Sequence, residues 1–242
     1  MMTTKTTVPE ADEMSLRAAA LVAGLAMLVM AVLAGFANFS VMQGLVVPGD
    51  AAATGRNILA SAGTFRVALL CFLVVAVLDV VVAWALYELL KRANQALSLL
   101  TAWLRVVYAA MLAVALNSLM SALRLFTGAG YMSTFQPGQQ VAQAMASVDA
   151  FQSAWDMALG VFGLHLLLVG YLIFRARYIP WWVGALTVIA GLGYSVDSIA
   201  KLLSPAYAIT IAQFTFVGEI VLMLWLLWKG IRGFDRVPEG RG

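Results

Sequence analysis

Six long runs of apolar residues dominate this 242-residue sequence and limit what it can fold into. The runs lie at about 17–40, 64–90, 95–124, 149–175, 179–202 and 209–231. A helix needs about 20 apolar residues to cross the hydrocarbon core of a bilayer, and every run is long enough. No strand-like alternation and no soluble domain lies between them. The sequence therefore predicts an all-α, polytopic membrane protein, a six-transmembrane-helix bundle in one domain.

The composition agrees with this fold class. Hydrophobic residues make up 63% of the chain and charged residues 11%, whereas soluble domains contain about 45–50% apolar and about 25% charged residues. The net charge of +3 comes mainly from basic residues at the ends of the apolar runs, where membrane topology explains them. We therefore expect the lipid bilayer as a partner and exclude nucleic acid.

The flanks of the runs predict the orientation, because Lys and Arg gather in the cytoplasmic loops of helical membrane proteins. The side that the N-terminus shares carries Lys5, Arg17, Lys91, Arg92, Arg175, Arg177, Lys229, Arg232, Arg236 and Arg241. The opposite side carries Arg56, Arg66, Arg124 and Lys201. We expect both termini in the cytoplasm, with a disordered cytoplasmic tail at 1–15, the six-helix transmembrane domain at 16–232 and a cytoplasmic tail at 233–242.

The outer connections are longer than the inner turns at 91–96 and 177–180. In the first, Pro-Gly makes a turn and Asp50 is placed to cap the N-terminus of a short helix. In the second, at 127–148, a Gly-rich stretch precedes another expected short helix after Pro137. These loops either cover the mouth of a cavity or form ordinary interfacial helices.

Four ionisable residues fall at membrane depth, where such groups usually face the interior of a bundle. They form a candidate deep polar site of Asp79, Arg105, His165 and Glu219. Asp79 and Arg105 reach similar depth in an antiparallel hairpin, which predicts an ion pair. We expect His165 to be a neutral imidazole bonded to a neighbouring helix. Glu219 lies about midway along the sixth run, and Thr215 is one candidate partner.

Three polar stripes lie in the outer halves of the third, fourth and fifth runs, at i, i+1, i+4 and i+7 in the third and at i, i+3, i+4 and i+7 in the fourth and fifth. Their members are Asn117, Ser118, Ser121 and Arg124; Asp149, Gln152, Ser153 and Asp156; and Tyr194, Asp197, Ser198 and Lys201. The candidate outer vestibule consists of Asn117, Arg124, Asp156, Tyr194, Asp197 and Lys201. The stripes line either a water-filled vestibule or a polar network that joins helices. Gly-rich segments in the fourth and fifth runs predict close packing there.

Few residues in the chain suit catalysis or metal binding. There is one cysteine, Cys71, inside an apolar run, and one histidine. A histidine-cluster metal site and bis-histidine haem are thereby excluded, and no familiar catalytic or nucleotide-binding motif is present. We expect no cofactor, assign no catalytic residue and favour a non-enzymatic role.

Several segments resemble one family, the bacterial six-helix membrane proteins called domain of unknown function 4386. The segments are 46–61, 78–91, 163–184, 190–203 and 218–230, and the resemblance spans about 17–231. It implies a bacterial integral membrane protein and no particular reaction. Family-like segments contain Asp50, Asp79, His165, Asp197 and Glu219, which makes these five better candidates without assigning them a role.

Three functions stay open. The first is binding or transport of a small solute or ion through an outward-facing polar vestibule, with Asp79, His165 and Glu219 as coupling groups. The second is a non-catalytic partner or sensor module for another membrane protein. The third is an intramembrane enzyme with His165 as general base. For all three we expect the bacterial cytoplasmic (inner) membrane.

The topology is testable by single-cysteine labelling in a Cys71→Ala background. Gly44→Cys and Gly138→Cys, in the two outer connections, should react with a membrane-impermeant maleimide in intact cells. Ala93→Cys, in an inner turn, should react only after permeabilisation. Failure of both outer positions to react in intact cells contradicts the orientation.

Overall fold

Helices account for all regular structure in residues 14–128, 136–204 and 206–234, which the computed structural model describes. They are α1 (Leu16–Gly35), a π-helical segment (Phe36–Met42), α2 (Gln43–Leu45), α3 (Ala51–Ala60), α4 (Ala62–Leu90), α5 (Gln95–Thr127), α6 (Pro137–Arg175), α7 (Trp181–Leu203), α8 (Ala212–Thr215) and α9 (Val217–Arg232). Most of both expected tails (1–13 and 235–242) and part of the second outer connection (129–135) lie outside the described residues.

Six helical spans are long and apolar enough to cross a membrane, which confirms the predicted fold class. They are Leu16–Leu45, Ala62–Leu90, Gln95–Thr127, Gly138–Arg175, Trp181–Leu203 and Ala212–Arg232. The separate short helix expected after Pro137 is wrong, because α6 continues from Pro137 to Arg175 without a break. Gln136 and Gln139 form a capping box at its start, and no Gly or Pro interrupts the chain between 139 and 159.

The spans form a ring in chain order. α1 packs on α4, α4 on α5, α5 on α6, α6 on α7 and α7 on α9, and α9 closes the ring against α1. Arg17 secures this closure, since its guanidinium donates hydrogen bonds to the carbonyls of Gly230 and Ile231. Gly24 and Gly230 have no room for a Cβ, because Leu227 and Leu21 lie against them. We call the ring end with Arg17 and the 91–94 turn the inner end.

The first outer connection folds over the outer end of the ring. The Asp50 carboxylate accepts the Ala53 N–H and caps α3, which confirms the predicted N-cap. α3 packs on the outer parts of α4, α5 and α6. Gly55 lies against the ring of Phe126, and the Asn57 amide donates to the carbonyl of Leu45. This connection therefore covers part of the outer mouth of the ring.

Two apolar clusters fill the ring, one on each side of its mid-depth. The outer cluster includes Phe65, Phe72, Leu112, Leu119, Phe151 and Phe162. The inner cluster includes Val82, Leu86, Leu89, Val169, Leu172, Val183, Leu222 and Leu226. At the inner end the Tyr178 hydroxyl donates to the carbonyl of Leu89, and burial raises the pKa of Tyr178 to about 12. Asp79 and His165 lie between the two clusters, so a polar layer separates them.

Glycines bring α6 and α7 into backbone contact. An added Cβ on Gly163 would collide with the Ser195 Oγ and would lie 2.8 Å from the Gly191 carbonyl oxygen. Gly170 and Gly184 are similarly close to each other. The predicted close packing of these two helices is confirmed.

We expect Gly163→Ala to lower the free energy of unfolding in detergent by about 1–3 kcal/mol, because the added methyl group overpacks the α6–α7 contact. Gly138→Ala is the matched control on the same helix, since nothing lies within 4 Å of its added Cβ. That control should be neutral or slightly stabilising, as alanine favours a helix more than glycine does. Equal stability of the two variants contradicts the prediction.

Candidate functional site

An ion pair between α4 and α5 forms the centre of the polar layer. Arg105 Nη2 lies 2.7 Å from Asp79 Oδ1, and both residues are almost completely buried. The predicted pair is confirmed, and the reason is the short 91–94 turn, which places the two side chains at one depth. The contact is close but not aligned as a hydrogen bond. Among the described residues, neither Asp79 oxygen nor Arg105 Nε has a hydrogen-bond partner.

His165 extends the pair to α6. Its Nδ1 lies 2.8 Å from the Thr101 carbonyl oxygen, and its Nε2 lies 3.2 Å from Arg105 Nη1. A carbonyl can only accept and a guanidinium can only donate. The imidazole must therefore donate from Nδ1 and accept at Nε2, which makes it the neutral Nδ1–H tautomer. The predicted bond to a neighbouring helix is confirmed.

The aromatic ring of Phe162 covers the Arg105 guanidinium. The guanidinium carbon lies 5.2 Å from the centre of the Phe162 ring, a cation–π distance. Phe162 in turn packs against Tyr108 at 4.7 Å and against Tyr194 at 5.5 Å between ring centres. We did not predict Phe162 or Tyr108 from the sequence. Their spacing was the available signal. Phe162 lies three residues before His165 and Tyr108 three residues after Arg105, and residues three apart share one face of a helix.

Glu219 joins the layer from α9. It lies in the first turn of that helix, not midway along a continuous one, because Phe216 separates α8 from α9. Its carboxyl group lies near the Tyr194 hydroxyl. The expected partner Thr215 is wrong, since the hydroxyl of Thr215 turns back to the Ile211 carbonyl.

Tyr194 lies at the deep site, because its ring packs against Phe162, which covers Arg105, and its assignment to the outer vestibule is corrected. Two glycines explain the placement. A Cβ on Gly193 would meet Thr215, and a Cβ on Gly218 would meet the backbone of Leu186. The resulting close approach of α7 to α8 and α9 brings Glu219 against Tyr194.

In the outer half, the structure pairs Asp156 of α6 with Lys201 of α7. Lys201 Nζ lies 2.8 Å from Asp156 Oδ1, and Gln152 also donates to this oxygen. The Asp156 side chain is 17% exposed and the Lys201 side chain 30% exposed, so water screens the pair. This is the part of the candidate vestibule in which the structure brings predicted residues together.

Asp197 binds the segment between α7 and α8 instead of lining a vestibule. Its carboxylate accepts the backbone N–H groups of Ile211 and Ala212 and the hydroxyl of Tyr207. The hydrogen bond to Asp197 raises the pKa of Tyr207. The expectation for Asp197 is corrected: it fixes the chain between α7 and α8, where the backbone N–H groups have no helical partner.

Asn117 and Arg124 lie on the exposed surface of α5. The Asn117 amide donates to the carbonyl of Val114, one turn earlier. No ion pair of the described residues joins Arg124 to Asp156 or Asp197. The predicted single region containing Arg124, Asp156, Asp197 and Lys201 is therefore wrong for Arg124 and Asp197. A solute path in this half stays a prediction.

Comparison with known proteins identifies the family. A family described as a domain of unknown function, DUF4386, matches residues 22–230. The chain belongs to this family. An uncharacterised protein of Archaeoglobus fulgidus is 35% identical over 159 residues, which cover 66% of this chain and 80% of that protein. No solved structure matches. The DUF4386 match covers all four residues of the predicted deep site.

The deep pair is testable by a double-mutant cycle on unfolding in detergent. Arg105→Ala should cost about 3–5 kcal/mol, because it leaves a buried carboxylate without its counter-charge. Asp79→Asn alone should be tolerated better, and it should partly rescue Arg105→Ala. Additive losses, with coupling below about 0.5 kcal/mol, would show that the pair contributes nothing.

Proposed function

We propose that this DUF4386 protein binds a small solute or ion and transports it across the membrane with proton coupling. The observation that carries the proposal is the polar layer, in which α4, α5, α6, α7 and α9 each contribute a side chain at mid-depth. Ionisable groups are costly in that position and typically mark an ion or proton path. The ring of six spans has no need of such a layer for apolar packing, since apolar clusters fill it on both sides.

Asp79 Oδ2 and Arg105 Nε, which have no hydrogen-bond partner among the described residues, support binding more than a purely structural role. Buried polar atoms normally have hydrogen-bond partners, and an unpartnered one costs about 1–3 kcal/mol. A polar solute or a water molecule at the layer would supply the missing partners. The polar residues of the layer lie on different helices. A species bound between them contacts two or more spans and can therefore favour one packing of the ring over another.

The Asp156–Lys201 pair supports an outer entrance. It lies in the same half as α3 and is partly exposed, so a polar solute arriving from that side meets charged groups before it meets the outer apolar cluster. Under the predicted orientation this side faces away from the cytoplasm. We place the protein in the bacterial cytoplasmic membrane as part of the proposal.

The enzyme alternative receives no support from the geometry. A general base needs a nitrogen within reach of the proton that it abstracts, and both nitrogens of His165 are engaged by Thr101 and Arg105. The partner-module alternative is the expected result if the test of transport fails.

The test uses purified protein in phospholipid vesicles on a solid-supported membrane, with a step in pH as the probe. The wild type should give a transient charge displacement that protein-free vesicles lack. Asp79→Asn combined with Glu219→Gln should abolish it. Glu88→Gln is the matched control, because Glu88 pairs with Lys91 one turn away at the inner end, and it should keep the signal. A wild-type signal equal to that of protein-free vesicles rejects proton coupling.

A further inference from the structure

We infer that the groove between the inner halves of α7 and α9 is a binding site for an anionic phospholipid, with an acyl chain in the groove and the phosphate at Lys229. The groove lies on the lipid-facing side of the ring, away from the polar layer. The inference is therefore independent of the proposed transport, and it adds one class of lipid as a specific partner.

The groove has a floor and two walls of large apolar side chains. Trp225 forms the floor, because it lines the groove and is almost completely buried. Trp182 of α7 and Leu224 and Trp228 of α9 form the walls, and each is about half exposed. Together with Val221 they border a volume of about 340 Å³. A groove with this lining suits a hydrocarbon chain and offers a polar solute no ion pair.

Helix packing explains why the groove opens at this place. Gly193 lies against Thr215 and Gly218 lies against the backbone of Leu186, so α7 approaches the last span closely there. Toward the inner end, residues 219–229 contain no glycine, and tryptophans from both helices take over the contact. Their bulk keeps the helices apart on the lipid side, and the described residues leave the space between them open.

The groove also has the direction of a lipid chain. Val221 and Trp228 are seven residues apart, about 10 Å along the helix axis, and the groove ends near the start of α7 at Trp181. A chain in the groove would point toward mid-depth, and its headgroup would lie at the inner end. Trp182 and Trp228 suit this boundary, because an indole combines an apolar body with one N–H donor for a lipid ester oxygen.

Positive groups lie where the headgroup would be. Lys229 Nζ is 4.8 Å from the centre of the Trp228 ring, which places this ammonium beside the groove wall. An ammonium has three donors, so it can contact a phosphate while it stays over the ring. Arg177 and Arg232 are exposed at the same end. Residues 176–196 and 220–232 contain no acidic residue, so these stretches contribute only positive charge.

The start of α7 adds backbone donors. Pro180 precedes the helix and supplies no side-chain cap. Among the described residues, no acceptor bonds the N–H groups of Trp181 and Trp182, and N–H groups at a helix start attract anions. Trp182 and Trp228 line the same groove, so these donors and Lys229 flank one headgroup position. This charge pattern favours an anionic lipid over a zwitterionic one, and basic segments at the cytoplasmic surface attract anionic lipids in the same way.

Quenching of tryptophan fluorescence by brominated lipids tests the site in a bilayer. The full chain is reconstituted in phosphatidylcholine vesicles that contain a small fraction of dibrominated phosphatidylglycerol or of dibrominated phosphatidylcholine. Bromine on an acyl chain quenches the indoles that it contacts. At equal mole fraction, the brominated phosphatidylglycerol should therefore quench the wild type more strongly than the brominated phosphatidylcholine.

Paired tryptophan variants locate the preferred lipid. Trp182→Phe combined with Trp228→Phe should remove the additional quenching by phosphatidylglycerol, because these two indoles line the groove. Trp84→Phe combined with Trp103→Phe is the matched control, since both of these tryptophans are exposed on other helices. That control should keep the additional quenching.

Lys229→Gln tests the headgroup contact, and Lys91→Gln, in the turn after α4, is its control. Loss of one basic side chain beside an anionic headgroup weakens binding about fivefold. Lys229→Gln should reduce the preference for phosphatidylglycerol by that factor, whereas Lys91→Gln should leave it unchanged. Both lysine variants keep all 7 tryptophans, so this measurement holds if the groove variant fails to fold.

Equal quenching of the wild type by the two lipids overturns the inference and leaves only nonspecific boundary lipid in the groove. A preference that survives the loss of both groove tryptophans also overturns it, because the lipid then binds elsewhere. So does a preference that Lys229→Gln does not change. The proposed function fails separately, through the absence of charge displacement after a step in pH.

Discussion

The structure depends on the contact between one carboxylate and one guanidinium in the middle of a membrane. Burying Asp79 or Arg105 alone costs too much free energy. α4 and α5 must therefore pack in the one register that places the two side chains next to each other. Arg105 then determines what surrounds it. Its second nitrogen requires an acceptor, which selects the neutral imidazole of His165, and its face requires a ring, which Phe162 supplies. A single pair thereby orders three helices.

The sequence was sufficient for the features that the bilayer dictates. The length and hydrophobicity of the apolar runs predicted the six spans. The short 91–94 turn predicted the Asp79–Arg105 pair, because residues at similar distances from a tight turn lie at similar depth in the membrane. The N-cap role of Asp50 was also predictable, because a short polar residue between a Pro-Gly turn and a helical stretch is typical of a helix N-cap. In each of these cases the information lies within one segment or two adjacent ones.

The parts that the sequence did not reveal depend on contacts between distant segments. Tyr194 and Asp197 share a helical stripe, yet one side chain meets Glu219 and the other meets the backbone of the 206–212 connection. A stripe shows that residues share a face; it does not show what covers that face. The break at Phe216 was also hidden, because residues 209–231 form one mainly apolar run, and apolar periodicity does not distinguish one helix from two short ones in line.

Closure of the ring by Arg17 has a consequence for assembly. The first span is synthesised well before its partner α9, with four spans between them, so the faces of Gly24 and Leu21 stay without this partner until α9 has entered the bilayer. The carbonyls of Gly230 and Ile231, which the end of a helix leaves without partners, receive the guanidinium only at that point. A ring without the last turn of α9 leaves the Arg17 guanidinium and the Gly24 face of α1 without their partners, so α1 reaches its final packing only after α9 has inserted.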